Sequence, residues 1–183
     1  MPRLPLVDPK TLTPAQADVY KAIASGPRGR VGGPFAVLLH SPGLAQWVEK
    51  VGAYLRYESQ LPARLRELAI TVVAAHWKAD TEWNTHAPLA LKHGVPTDVV
   101  DDIGKNLPPR FSDQADRVAY NYARELLANS NPSDATFQAA HRLLGNEGIV
   151  DLTGVVGYYT MLAMMLNSAQ VLPANANIPW RTD

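Results

Sequence analysis

The chain has 183 residues, 46% of them hydrophobic, with 17 Lys+Arg against 17 Asp+Glu and no cysteine. That size and apolar content suit one domain with a substantial core, and the charge balance leaves no basic footprint for nucleic acid. The lack of cysteine excludes disulfides, thiolate metal sites, cysteine nucleophiles and thiol redox chemistry together.

The N-terminus, MPRLPLVDPK, lacks the apolar core of a signal peptide. No apolar run is long enough to span a bilayer, and a soluble cytoplasmic protein is expected. Prolines and glycines then punctuate a sequence whose gaps read as helices. Thr13-Pro14 is an N-cap followed by proline at the first helical position, and Val19, Ala22 and Ile23 share a face behind it. GPRGRVGG, Gly26 to Gly33, is a loop, and PFAVLLH after it a short apolar helix. Ser41-Pro42 restarts the chain into a helix bearing Leu44, Val48, Val51 and Leu55. Pro62 opens a helix to about Trp77, with Leu65, Leu68, Ala69, Val72 and His76 on one face and Ile70, Val73 and Ala74 on the others. A helix apolar all round is buried by its neighbours.

Lys78 to Asp80 is a break, where Asp80 or a neighbour caps a helix running to His93 with Gly94 as its stop. Pro96 begins a further short helix. NLPPRFSD is a loop with Ser112 as the next cap, followed by an amphipathic helix through Val118, Tyr122 and Leu126. Asn131-Pro132-Ser133 caps a helix through Phe137, Ala140 and Leu144, and GIVDLTGVVGYYTMLAMMLNSA is the last. The tail LPANANIPWRTD is extended and proline-rich. No strand alternation of useful length occurs, so the expected fold is all-α in a single domain over residues 1–183, its core about 30–173. The last helix has more apolar surface than a small bundle needs. That predicts a homo-oligomer, with the tail as an arm over a neighbour; the other reading is a central helix of a monomer.

The densest chemistry lies in HWKADTEWNTH, His76 to His86, directly after the most apolar helix. Glu82 and His86 are spaced i, i+4 and share a helix face. Glu67, near the start of the preceding helix, meets them if the two helices pack antiparallel. A buried carboxylate beside an imidazole suits general acid–base work, while an exposed pair of this spacing is only a surface contact. His76 reads as a core histidine, His40 as a helix-entry residue, His93 as a helix C-terminal residue and His141 as a surface one. Glu67, His76, Glu82 and His86 are metal-ligand types, but neither HExxH nor ExxH spacing is present, and no metal is expected.

RELAITVVAAHWKADTEWNTHAPLALKHGVP, the lead-in LRYESQLPARLRELAI and the closing GYYTMLAMMLNSAQVLP together resemble the carboxymuconolactone decarboxylase family, which also contains AhpD-type alkylhydroperoxidases. The resemblance implies an AhpD-like helical bundle and a trimer or hexamer. In its peroxidase branch the pattern is Glu, then Cys-x-x-Cys, then His, which falls here on Glu67, Ala79, Glu82 and His86. The proton-relay residues are kept and both thiols are gone, so a thiol peroxidase is not expected. The decarboxylase branch carries EW followed by His, as Glu82-Trp83 and His86 do here, and needs no cofactor.

The resemblance therefore implies decarboxylation of a small carboxylated lactone or related cyclic acid. Another proton-transfer reaction on such a ring, or a non-catalytic ligand-binding oligomer, is the alternative. Glu67, Glu82 and His86 are the candidate catalytic residues. Arg30 is a candidate carboxylate clamp or a solvated loop arginine, and His76, Trp77 and Trp83 are candidate pocket walls. The expected partners are a small-molecule substrate and further copies of the chain, with neither nucleic acid nor membrane.

Overall fold

The computed structural model describes residues 2–173 and 178–181. Helices α1 (Pro14–Ser25), α2 (Pro34–Leu38), α3 (Pro42–Ala53), α4 (Ala63–His76), α5 (Asp80–Lys92), α6 (Thr97–Gly104), α7 (Gln114–Asn129) and α8 (Asp134–Ala169) account for most of them, and there is no strand among the described residues. α1 begins as its sequence predicts: Gln16 donates its backbone N–H to the Thr13 hydroxyl, and the Gln16 side chain accepts from the Thr13 N–H. α7 is capped by Asp113 rather than Ser112, its carboxylate accepting from the N–H groups of Ala115 and Asp116.

α4 is the axis of the bundle. Leu68, Ala69, Ile70, Val72, Val73 and Ala74 are all buried, packed between α5, α7 and α8. Burial on this scale follows from a helix with apolar residues on every face. α4 is tied to α7 by Arg64, which grips the buried Asp116 carboxylate through Nε (2.9 Å) and Nη2 (2.5 Å).

α8 contains a stretch long and apolar enough, by composition alone, to cross a membrane. Here Leu152, Val155, Val156, Tyr159 and Leu162 pack it into the core instead. It is two helices across a break at Gly145, whose φ of 67° suits glycine.

Two local departures position the site. α3 does not end in a cap: it widens into a π-helical turn, Tyr54–Glu58, closed by the Ser59 N–H donating to the Tyr54 carbonyl at 2.8 Å. The α4–α5 corner is closed by Lys78 in the left-handed region (φ 48°) and by the Ala79 N–H bonding the Ala74 carbonyl at 2.9 Å. Asp80 is the first residue of α5, not its cap. Its carboxylate accepts from Trp180 Nε1 at 2.8 Å and pairs with Arg181 Nη2 at 2.5 Å. Residues 178–181 of the tail thus pack against α5 of their own chain; residues 174–177 and 182–183 lie outside the described ones.

Candidate functional site

The short corner turns α5 back along α4, and Glu67 meets His86 across the hairpin. Glu67 Oε2 lies 2.6 Å from His86 Nδ1, and Glu82 Oε2 lies 3.4 Å from His86 Nε2. All three side chains are 5% exposed or less, so these are interior contacts rather than a surface pair. The His86 ring is held edge-on against Tyr159 of α8, with centroids 4.9 Å apart.

The two carboxyl groups are driven in opposite directions. Burial alone raises the Glu67 pKa, but the hydrogen bond and charge of His86, with Arg66 and Arg56 nearby, outweigh it and hold Glu67 below its ordinary value. Burial dominates at Glu82 and raises its pKa, against the charges of His86, Arg56 and Arg28. Such a divergence separates an ionised group from a protonated one. An ionised Glu67 accepts from His86 Nδ1–H, which in the neutral imidazole leaves Nε2 as the lone-pair nitrogen facing Glu82. The order is then Glu67 behind, His86 in the middle and Glu82 in front.

The front opens into a cavity of about 590 Å³, within the size range of small-molecule sites. Glu82, His86, Thr81, Asn84, Thr85 and Leu89 of α5 form one wall, and Tyr159 and Leu162 of α8 another. The 28–34 loop and the π-turn supply the rest, among them Arg28, Arg30, Arg56 and Tyr57. Arg28 lies over the Phe35 ring at 4.6 Å, and its Nε and Nη2, like the Tyr158 hydroxyl, are buried without a hydrogen-bond partner among the described residues. Burial pushes the Tyr158 phenol up to about 12, the Arg28 charge opposing it.

Arg30 therefore lines the cavity, exposed at its edge. The other three expected wall residues do not. His76 is nine positions from Glu67, and at about 100° per residue that places it on the opposite face of α4. It is exposed there, beside a narrow crevice with Tyr120 and Arg124. Trp77 pins the α4–α5 corner: its Nε1 donates to Thr160 Oγ1 at 3.2 Å, and its carbonyl accepts from Asn167 Nδ2 at 2.7 Å. Trp83 is buried against Trp180 on the far side of α5, with ring centroids 5.2 Å apart. Arg28 and Arg56 were not singled out from the sequence. Arg28 stood two residues from Arg30 in the same GPRGR motif, but nothing in LRYESQ marks Arg56, because a π-turn has no composition of its own.

Residues 42–125 match the model of the carboxymuconolactone decarboxylase family. The matched segment is a little under half of the chain. It contains Glu67, Glu82, His86 and Arg56, while the loop bearing Arg28 and Arg30 precedes it and α8 follows it. No curated protein matches the chain.

Two solved structures share the fold. One is described as an alkylhydroperoxidase AhpD core, an uncharacterized peroxidase-related protein from Ralstonia eutropha JMP134; it is 16% identical, with a TM-score of 0.76 over 95% of this chain and 93% of that one. The other is an uncharacterized peroxidase-related protein from Silicibacter sp. TM1040, also 16% identical, with a TM-score of 0.73 over 95% of this chain and 92% of that one. The fold is thus AhpD-like. At the two positions where the family's peroxidase branch carries thiols stand Ala79, fully buried, and Glu82.

Among the described residues no group of three or more His, Asp and Glu side chains is arranged to hold a metal ion. The arrangement is suited to moving a proton between a buried carboxylate–imidazole pair and a ligand in the cavity.

Proposed function

We propose that the chain is an acid–base enzyme that decarboxylates a small carboxylated lactone or related cyclic acid, with no cofactor. The observation that carries this reading is the Glu67–His86–Glu82 series, buried, with its two ends pushed toward opposite protonation states and its front facing the cavity.

In the reaction the substrate's C–C bond to its carboxylate breaks and carbon dioxide leaves. The electron pair passes into the conjugated lactone and builds charge on its carbonyl oxygen. Glu82, held toward its neutral form, delivers the proton to the ring carbon. Glu82 regains its proton from water admitted as the product leaves: His86 takes that proton up at Nε2 and passes it to Glu82, with Glu67 holding the transient imidazolium. Enclosure by Leu89, Tyr159 and Leu162 keeps bulk water from competing.

The same reading takes the chain as a cytoplasmic homo-oligomer. Leu44, Trp47, Val51 and Tyr54 form an exposed stripe along α3 and the start of the π-turn, with Trp47 62% exposed, and this supports a covered face.

An ultraviolet assay of γ-carboxymuconolactone decarboxylation tests the reaction, wild type beside Glu82→Gln and His86→Ala. Turnover in the wild type is expected to fall by a factor of about 10² or more in each variant, the worth of a positioned proton donor. Full activity in Glu82→Gln removes Glu82 as the donor. A folded wild type without turnover overturns the lactone assignment.

A further inference from the structure

The cavity holds more positive charge than its own side chains neutralise. Arg28, Arg30 and Arg56 all line it, and none has a carboxylate within ion-pairing distance among the described residues. Of the two carboxyl groups nearby, Glu67 is occupied by His86 and Glu82 is held toward its neutral form. Three guanidinium groups around one cavity repel each other, and an anion that joins them relieves that repulsion.

Arg56 is the best placed of the three. It lines the cavity together with Glu82, His86 and Tyr159, and its charge favours the ionised forms of Glu67, Glu82 and the Tyr159 phenol. Its backbone is also the most deliberately held. Arg56 sits mid-way along the π-turn, and both ends of that turn are fastened to one buried carboxylate, Asp151 of α8. The Tyr54 hydroxyl donates to it at 3.2 Å, and the Ser59 hydroxyl donates to it at 2.5 Å. A π-turn has poorer internal hydrogen bonding than a regular helix and persists where its surroundings enforce it, frequently at functional sites. Asp151 supplies that enforcement from a position that does not line the cavity.

We propose that Arg56 is the residue that binds the carboxylate of a small cyclic acid in this cavity, with Arg28 beside it, and that Asp151 is its positioning residue through the clamped π-turn. This rests on the acid–base reading for its ligand class, but its test does not require turnover. Arg30, exposed at the edge, attracts the anion from solution rather than fixing it.

The probes are furan-2-carboxylate and furan-2-carboxamide, rings of the same size that differ in charge, titrated calorimetrically into the intact protein. The wild type is expected to bind the carboxylate at least tenfold more tightly than the amide. Arg56→Gln should bring that ratio close to one, with Arg56→Lys keeping part of it. Asp151→Ala should lower the ratio while leaving amide affinity unchanged, which a merely loosened fold would not do. Equal binding of the two probes by the wild type, no binding of either, or an unchanged ratio in Arg56→Gln each overturns the proposal. An unfolded Asp151→Ala leaves the Arg56 variants to decide. A retained charge preference without lactone turnover sinks the reaction and keeps the anion site, and turnover without charge preference does the reverse.

Discussion

Glu82 carries a carboxyl group into a place hostile to its charge, and this has a thermodynamic signature separate from catalysis. Its folded-state pKa lies above the ordinary 4.5, chiefly from burial. Below pH 4.5 the group is protonated in both states; above it the unfolded chain releases the proton first. Stability from Glu82 is therefore lost as pH rises from 4.5 through the raised value. Glu67, held low, works the other way: its contribution is present above 4.5 and disappears as pH falls through its depressed value.

Glu82→Gln should then be more stable than wild type at neutral pH, by on the order of 1 kcal/mol for each unit of displacement removed, while losing activity. Urea denaturation across pH checks this, and parallel pH profiles for the two proteins would refute it. The spacing of Glu82 and His86 on one helix was readable from the sequence; the approach of Glu67 was not fixed by spacing, because it depends on the α4–α5 corner turning the two helices antiparallel. The misplacement of His76 was also readable in principle, since the nine residues separating it from Glu67 put the two on opposite faces. Apolar content around the whole of α4 hid which face was which.

The elements carry constraints that propensity alone misjudges. Gly52 sits inside α3, where alanine would ordinarily favour the helix by about 1 kcal/mol. Yet a Cβ at Gly52 would fall on the Tyr158 hydroxyl and within 2.8 Å of Arg28 Nη2. Tyr158 is a rigid, buried ring, so the overpacking cost of about 1–3 kcal/mol wins. Gly52→Ala is expected to lower the denaturation midpoint and to displace Arg28 from the cavity wall. A stabilised variant would show that Tyr158 moves aside freely. Helix starts at Pro14, Pro34 and Pro42 were legible because proline and the residue before it act locally. The π-turn was not, because Asp151, almost a hundred positions away, enforces it. Pro88 inside α5 did not end that helix, since the packing of Trp83, His86, Ala87 and Ala90 holds it on both sides of the proline.

At the scale of the molecule, the all-helical bundle follows from periodicity, and the AhpD-like arrangement from a short hairpin packed on a long closing helix. The tail was not readable: Trp180 and Arg181 find Asp80 only once α5 is in place. The exposed α3 stripe predicts self-association. Static light scattering at micromolar concentration should give a multiple of 19.9 kDa, and Trp47→Asp should shift it toward the single chain. A monomeric wild type would remove the oligomer from the reading.

The relay spans only 19 positions, from Glu67 to His86 on one helical hairpin, whereas the arginines arrive from two other segments, the 28–34 loop and the π-turn. On the proposed function, proton handling and ligand recognition then lie on different pieces of the chain. Changes in the loop or turn can retune which acid is accepted while the hairpin is left alone. A scaffold divided in this way lends itself to divergence: selection for a new substrate need not begin by dismantling the chemistry.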